Sequence, residues 1–273
     1  MKITILTDNE VPIGQPCQGE PAFSALVEGE RKILFDAGQS DLFLRNAQHL
    51  GLTLEDVDAV VISHGHDDHI GGLYYLMEHF KLRGITRRPT LVLHPWALAH
   101  RVLDGAATGN VLTRAALETY FDLVVTDQPY LLGKDLCFLG EIPRLCPFEY
   151  APNRAMVLRD EGWVQDTLPD DTALAYRSPE GVVVLTGCAH AGVCNTIRQA
   201  QAVTGEEHIR DVVGGFHLLR PTAEWMEKTL DFVRSVGVEE MHPCHCTSFP
   251  AKAALSGVCQ VSAVGCGSVL EYH

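Results

Sequence analysis

Short apolar runs recur along the chain between polar residues, glycines and prolines, a pattern that predicts β-strands. Val, Ile and Leu dominate these runs. The predicted strands are Lys2–Thr7, Ala25–Glu28, Arg31–Phe35, Asp58–Ser63, Thr90–His94, Leu123–Thr126, Leu136–Leu139, Val182–Thr186, Asp211–Gly214 and Val261–Val264.

Segments with helical spacing of apolar residues lie between the strands. The clearest is 222–236, where Thr222 can cap the first turn and Gly237 can end the helix. Its apolar stripe predicts a face that packs on the core. The predicted helices are 40–50, 70–82, 96–101, 113–120, 192–203 and 222–236.

The order of these elements predicts a layered α/β or α+β fold, because strands come first and a mixture of strands and helices follows. No Ser-rich or Pro-rich linker and no internal repeat divides the chain. We therefore expect a single domain over residues 1–273.

Composition and charge narrow the class of partner. The net charge is −14 with 46% hydrophobic residues, which is an ordinary globular composition without a basic footprint for nucleic acid. The sequence contains no run of 18 apolar residues, so we expect no membrane span. The apolar run after Lys2 is too short for an export signal. We expect a cytoplasmic protein with a small-molecule partner and nine largely reduced cysteines. The sequence carries no signal for the oligomeric state.

The sequence ISHGHDDHIGG at 62–72 concentrates candidate metal ligands. Residues i and i+2 of an extended chain face the same side, so His64 and His66 can bind one ion. Asp68 and His69 follow where the chain must turn, and they can bind a second ion nearby. Imidazole and carboxylate ligands suit Zn²⁺ first, and also Fe²⁺ or Mn²⁺. The competing interpretation, a solvated polar loop, explains this spacing poorly.

Further ligands must come from elsewhere in the chain. Three later histidines each lie beside an apolar run: His190 in VVVLTGCAHAG, His217 in DVVGGFHLL and His245 in MHPCHCTS. Each has the alternative of a hydrogen-bonded structural role. His242 and Cys244 compete with His245, and Cys244 with Cys246 is an alternative thiolate pair. His94, at a strand end before Pro95, is a candidate to line a pocket.

HGHDDH matches the H-x-H-x-D-H signature of the metallo-β-lactamase superfamily, and ILFDAG resembles the element whose aspartate, here Asp36, supports the metal loop. Other stretches resemble the subgroup labelled dihydropterin-ribofuranosylaminobenzene-phosphate synthase. They are LGEIPR at 139–144, Phe148-Glu149, DDTAL at 170–174, TGCAHAGVCN at 186–195, GGFHL at 214–218 and CHCTS at 244–248.

The resemblance implies an α+β fold, an αββα four-layer sandwich of mixed sheets flanked by helices, with two metal ions. It assigns His64, His66 and His190 to one ion and Asp68, His69 and His245 to the other. Many members of the superfamily have a bridging aspartate after the strand that here reads VVVLTG. This chain has Cys188 there, so His190, Cys188 or Asp171 are open alternatives for that position.

The ligand cluster, with no G-x-S-x-G or P-loop motif, favours a metal-dependent hydrolase that uses a metal-bound hydroxide on a small anionic substrate such as a phosphoester. In that hypothesis Asp68 accepts a hydrogen bond from the nucleophile, and His217 is a second catalytic candidate. One alternative is the synthase reaction of the resembled subgroup. Another is a thiol-linked redox or metal-sensing role for the cysteines near the predicted site.

The substrate pocket is the least defined part of these expectations. Residues 96–121 and 143–170 resemble insertions between the strands and are candidates for a substrate lid. Arg114, Arg144 and Arg154 are candidates to bind a phosphate or carboxylate, with an ordinary surface role as the alternative for each.

Overall fold

The computed structural model describes residues 1–149 and 154–273. Within them the chain divides into two compact units. The first unit comprises residues 1–127, 154–170 and 265–271, and the second comprises 128–149, 171–264 and 272–273. The expectation of one domain over 1–273 stays a prediction.

The strands of the described residues are numbered in chain order. They are β1 (Lys2–Thr7), β2 (Ser24–Glu28), β3 (Lys32–Phe35), β4 (Ala59–Val61), β5 (Thr90–Leu93), β6 (Arg101–Leu103), β7 (Ala106–Ala107), β8 (Asp122–Val125), β9 (Tyr130–Leu131), β10 (Leu136–Phe138), β11 (Ala155–Arg159), β12 (Gly162–Gln165), β13 (Ala173–Ser178), β14 (Gly181–Thr186), β15 (Ile209–Gly215), β16 (Glu240–Cys244), β17 (Gln260–Val261) and β18 (Val269–Glu271).

The α-helices of the described residues are numbered in the same way, and two short 3₁₀ helices accompany them at Pro95–Leu98 and Pro147–Glu149. The α-helices are α1 (Leu42–His49), α2 (Asp67–Ile70), α3 (Leu73–Arg83), α4 (Arg114–Tyr120), α5 (Val193–Thr204), α6 (Ala223–Val236) and α7 (Phe249–Leu255).

The first unit contains a mixed sheet in the order β18-β1-β2-β3-β4-β5-β8. The pairs on the β18 side of β3 are antiparallel, and the pairs from β3 through β4 and β5 to β8 are parallel. Apolar residues of α1 and α3, including Phe43, Leu76 and Phe80, form one core with Leu34 and Val60 of the sheet. The parallel strands end together at one edge, which collects the residues that follow them.

A smaller antiparallel sheet in the order β12-β11-β6-β7 belongs to the same unit. It is built from the two segments that resembled insertions. Residues 150–153, which fall inside the candidate lid segment 143–170, lie outside the described residues.

The second unit contains a mixed sheet in the order β17-β16-β15-β14-β13-β10-β9. Its pairs from β17 to β14 are parallel, and the remaining pairs are antiparallel. Val193, Ile197 and Val233 of α5 and α6 share a core with Val184 and Val212 of the sheet. Here too the parallel strands end at a common edge.

Several local expectations are confirmed. The helix α6 begins as expected, since Thr222 accepts a hydrogen bond from the backbone N–H of Trp225, and Gly237 ends it with a φ of 72°. The helix predicted at 96–101 is wrong: a 3₁₀ turn covers Pro95–Leu98, and the chain then extends into β6. The strand predicted at Val261–Val264 is shorter and lies at Gln260–Val261.

Among the described residues, no helix is both long and apolar enough to cross a membrane.

Candidate metal centre

In the first unit three imidazoles gather just beyond the end of β4. Nε2 of His64 lies 3.0 Å from Nδ1 of His66, and the ring centroids of His64 and His69 are 4.2 Å apart. His69 lies on the short helix α2, and its Nε2 is 3.7 Å from the Asp68 carboxylate. The loop therefore presents the donor types that a divalent ion requires.

A buried aspartate fixes the orientation of two of these rings. Asp36, fully buried with a φ of 54°, accepts hydrogen bonds from the backbone N–H and the hydroxyl of Ser63, both at 2.7 Å. Its second carboxylate oxygen also lies 2.7 Å from Nδ1 of His69. Because Nδ1 of His69 donates its proton there, Nε2 keeps the lone pair that a metal ion needs.

Ser63 fixes the position of the proton on the His64 ring in the same way. Its hydroxyl proton is already donated to Asp36, so the oxygen acts as an acceptor for Nδ1 of His64, 3.0 Å away. His64 therefore carries its proton on Nδ1 and presents Nε2 as a lone pair. Sequence reasoning missed Ser63, although its place directly before the histidine cluster was a signal.

Gly65 lets the loop pass against the small sheet. A Cβ at this position would collide with the carbonyl oxygen of Ala97 and with the Arg101 guanidinium. The Gly65 N–H donates to the Asp170 carboxylate at 2.8 Å, and its carbonyl accepts from the N–H of Asn110 at 3.1 Å. The backbone of the ligand loop is thus held on both sides.

An arginine with two carboxylates lies behind that contact. Arg101 on β6 donates from Nε to Asp166 and from Nη2 to Asp170, each at 2.6 Å, and all three side chains are fully buried. Nothing in the local sequence marks these partners. The insertions therefore support the metal loop directly, and their role as a lid stays a prediction.

The remaining histidine positions of this unit differ in environment. His66 is half-buried, and desolvation of its ring is the main reason that its pKa lies below the ordinary value, with Asp68 opposing the shift. A neutral His66 ring is the form that can ligate a metal. His94 is buried, and its Nδ1 accepts the N–H of Trp96 at 3.1 Å, which caps the following 3₁₀ turn.

In the second unit three neighbouring parallel strands end in strained turns. Ala189, His217 and His245 follow β14, β15 and β16 and have φ values of 53°, 52° and 48°. Such left-handed backbone is unfavourable for residues other than glycine and clusters at functional sites. The turns bring His190 and His217 together, with ring centroids 4.3 Å apart.

Sulfur atoms accompany these histidines. Ligand atoms of Cys188, His245 and Cys246 all lie within 4.8 Å of one another. Sγ of Cys246 accepts the backbone N–H of His217 at 3.2 Å and lies 3.4 Å from the carbonyl oxygen of Cys188. Burial alone would raise the pKa of Cys246, but hydrogen bonds from Cys188 and His217 and the nearby rings hold it well below its ordinary value.

The contact between Cys246 and His217 also shifts the pKa of His217, in the upward direction. Burial tends to lower the pKa of His217, but the hydrogen bond and charge of Cys246 raise it above the ordinary value. Cys246 and His217 therefore shift each other's pKa in opposite directions.

Supporting contacts fix the loop that carries His190. Asp171 accepts the backbone N–H of Ala191 at 2.8 Å. Glu149 accepts the N–H groups of Cys194 and Asn195, each at 2.9 Å, at the start of α5. Arg144 donates to the carbonyl oxygen of His190 at 3.1 Å, which places one candidate cation beside this loop.

The other candidates lie in separate surroundings. Arg114 and Arg154 form exposed ion pairs with Glu118 and Asp104. His242, within β16, lies 3.0 Å from the Asp211 carboxylate, which also accepts the hydroxyl of Tyr272. It therefore lies outside the cluster of Cys188, His245 and Cys246. The sharing of ions between His64, His66 and His190, and between Asp68, His69 and His245, stays a prediction.

Two known proteins are similar in sequence to this chain over most of its length. An uncharacterised protein of Methanocaldococcus jannaschii is 31% identical over 256 residues, 93% of each chain. The 7,8-dihydropterin-6-methyl-4-(β-D-ribofuranosyl)-aminobenzene-5'-phosphate synthase of the same organism is 26% identical over 92% of this chain and 89% of its own.

Solved structures identify the fold. The crystal structure of Tm1679, a metal-dependent hydrolase of the β-lactamase superfamily, is similar with a TM-score of 0.85 and 31% identity, covering 99% of this chain and 98% of that one. The expected α+β fold with mixed sheets and helices is confirmed. The family model of the metallo-β-lactamase superfamily matches residues 18–245, and the chain belongs to that superfamily.

Proposed function

We propose that the chain is a hydrolase that depends on two divalent metal ions, zinc first, and cleaves a small anionic phosphoester. The observation that supports this most is the fixed proton position on two neighbouring rings: Asp36 and Ser63 leave Nε2 of both His64 and His69 as lone-pair donors. A merely structural histidine cluster does not need both donors aimed this way.

The proposed ligand sets are those that the family resemblance implies. His64, His66 and His190 hold one ion, and Asp68, His69 and His245 hold the other. When bound, such ions polarise a phosphoryl oxygen and lower the pKa of water, which supplies a nucleophile at neutral pH. Neutral imidazoles and a carboxylate are a fitting donor set for zinc.

The residues around the ligands have complementary roles in this proposal. Asp68 accepts a hydrogen bond from the nucleophile, and His217, whose pKa is raised by Cys246, donates a proton to the departing oxygen. Arg144 orients the anionic group of the substrate. We choose it among the three candidate arginines because it donates a hydrogen bond to the His190 carbonyl oxygen.

The first test is a screen of phosphomonoesters, phosphodiesters and lactones with metal-stripped and zinc-reloaded protein. The proposal expects phosphoester cleavage by the reloaded protein, loss of cleavage in His64→Ala and retention in His49→Ala, since His49 is exposed at the end of α1. Full cleavage by His64→Ala would overturn it.

Arg144→Gln tests the anionic substrate. Loss of one charge-assisted hydrogen bond of about 1.5–3 kcal/mol raises KM for a phosphoester roughly tenfold or more and leaves KM for a neutral lactone unchanged. Arg154→Gln, whose arginine is exposed and paired with Asp104, is the control and keeps the original KM. An equal effect of both variants would remove the role given to Arg144.

The second candidate is a synthase reaction, and the 26% identity to the dihydropterin synthase over 92% of the chain favours it. Incubation with an activated dihydropterin and ribofuranosylaminobenzene phosphate, followed by mass spectrometry, distinguishes the two. A joined pterin–aminobenzene product without phosphoester cleavage would replace the hydrolase proposal.

A further inference from the structure

A sulfur-containing donor set lies at the carboxyl edge of the sheet in the second unit. We propose that the Cys188 thiolate, together with His245, ligates one ion of the metal centre, and that the centre therefore prefers thiophilic ions. This inference rests on the proposed function, because it assigns a further ligand to the same centre.

The first argument is proximity among the correct donor types. The ligand atoms of Cys188, His245 and Cys246 lie within 4.8 Å of one another, and the two cysteines are only 4% and 7% exposed. Two thiols and an imidazole at this spacing can converge on one ion at ordinary zinc–sulfur and zinc–nitrogen distances of about 2.3 and 2.0 Å.

The second argument is the backbone that presents them. Cys188 directly precedes Ala189, and Cys246 directly follows His245, and both of these neighbours have left-handed φ values. Each such residue costs about 1–3 kcal/mol, so the surrounding fold must enforce the turns. This free-energy cost is consistent with turns that position metal ligands, since a simple reversal of the chain does not require left-handed residues other than glycine.

The third argument distinguishes the two thiols. Cys246 Sγ already accepts the His217 N–H and contacts the Cys188 carbonyl oxygen. It also lies against Gly215, where an added Cβ would approach its sulfur to 2.6 Å. Cys246 is therefore seated among backbone groups, and it is also hydrogen-bonded to the Cys188 side chain. We assign Cys246 to positioning the turn and Cys188, two residues before His190 on the same loop, to the ion.

The chemistry of the step is a proton exchange. The Cys188 thiol releases its proton to solvent as the sulfur–metal bond forms, and no electron is transferred. A thiolate ligand favours zinc over manganese or magnesium, which prefer carboxylate and water. The inferred selectivity thus narrows the metals proposed for the centre.

X-ray absorption spectroscopy of the zinc-loaded full chain tests the ligand directly. We expect one sulfur at about 2.3 Å from zinc, and a sulfur-to-metal charge-transfer band when cobalt replaces zinc. Both signals disappear in Cys188→Ser, and zinc affinity falls at least tenfold. Both persist in Cys246→Ser and in the control Cys259→Ser, whose cysteine is half-buried.

The outcomes separate this inference from the proposed function. Metal bound by nitrogen and oxygen alone in the wild-type protein would overturn the Cys188 assignment and leave the hydrolase proposal standing. Protein that binds no metal would overturn both. A sulfur signal that survives in Cys188→Ser and disappears in Cys246→Ser would overturn the assignment in favour of Cys246. The wild-type spectrum decides the matter even if Cys188→Ser does not fold.

Discussion

The buried contact of Arg101 with Asp166 and Asp170 allows a quantitative test of how the small sheet supports the metal loop. The substitution Arg101→Met keeps much of the side-chain volume and removes the charge. Both carboxylates then stay fully buried without their cation, although Asp170 still accepts the Gly65 N–H.

Removal of one partner from a buried ion pair costs about 3–5 kcal/mol, because the remaining charge is not compensated by solvent. We expect Arg101→Met to lower the free energy of unfolding by that amount. Adding Asp166→Asn and Asp170→Asn removes the uncompensated charges, so the triple variant recovers at least about 2 kcal/mol.

Urea unfolding of the metal-free protein at pH 7, with midpoint and slope fitted together, measures these differences. The control is Arg154→Met, whose arginine is 79% exposed and pairs with Asp104, and which changes stability by less than about 1 kcal/mol. If Arg101→Met behaves like this control, or if the triple variant is no more stable than the single one, the buried network does not support the loop.

Two further predictions concern residues beside the loops that carry the candidate ligands. Gly65→Ala forces a Cβ into the Ala97 carbonyl and Arg101, so zinc titration should show weaker binding. The control Gly29→Ala, whose added Cβ meets only Cγ of Met1 at an ordinary contact distance of 3.9 Å, should bind zinc as the wild type does. Burial raises the pKa of Glu149 from 4.5 to about 7, with the two backbone N–H groups of α5 opposing. The folded state therefore holds this proton more tightly, and stability falls by up to about 3 kcal/mol as pH rises from 4.5 through 7. Glu149→Gln should flatten that part of a stability–pH profile, and an unchanged slope would show that Glu149 is ionised throughout.

The ligand loop was predictable because its information is local. The strand that ends before His64, the i, i+2 spacing to His66 and the turn at Asp68 and His69 follow from residues adjacent in sequence. The helix predicted at 70–82 corresponds to α3 at Leu73–Arg83. The subgroup motifs likewise led to the correct family.

The buried ion pairs of Arg101 could not be predicted, because the residues that form them are far apart in the sequence. Arg101 meets Asp166 and Asp170 across 65 and 69 residues, and only the folded chain brings them together. The segment around Arg101 was predicted as a helix, although it forms a very short strand. Strand β16 was also missed, because Pro243 lacks an N–H and signals against a strand that is paired on both sides.

The central claim is that the proposed histidine and aspartate ligands hold two metal ions, and metal content tests it most directly. Elemental analysis for zinc, iron and manganese is made on wild-type protein, His64→Ala, His245→Ala and the control His49→Ala. The account predicts close to two equivalents in the wild type and the control, and a loss of one equivalent or more in each of the other variants. Folded His64→Ala and His245→Ala proteins with wild-type metal content would contradict it.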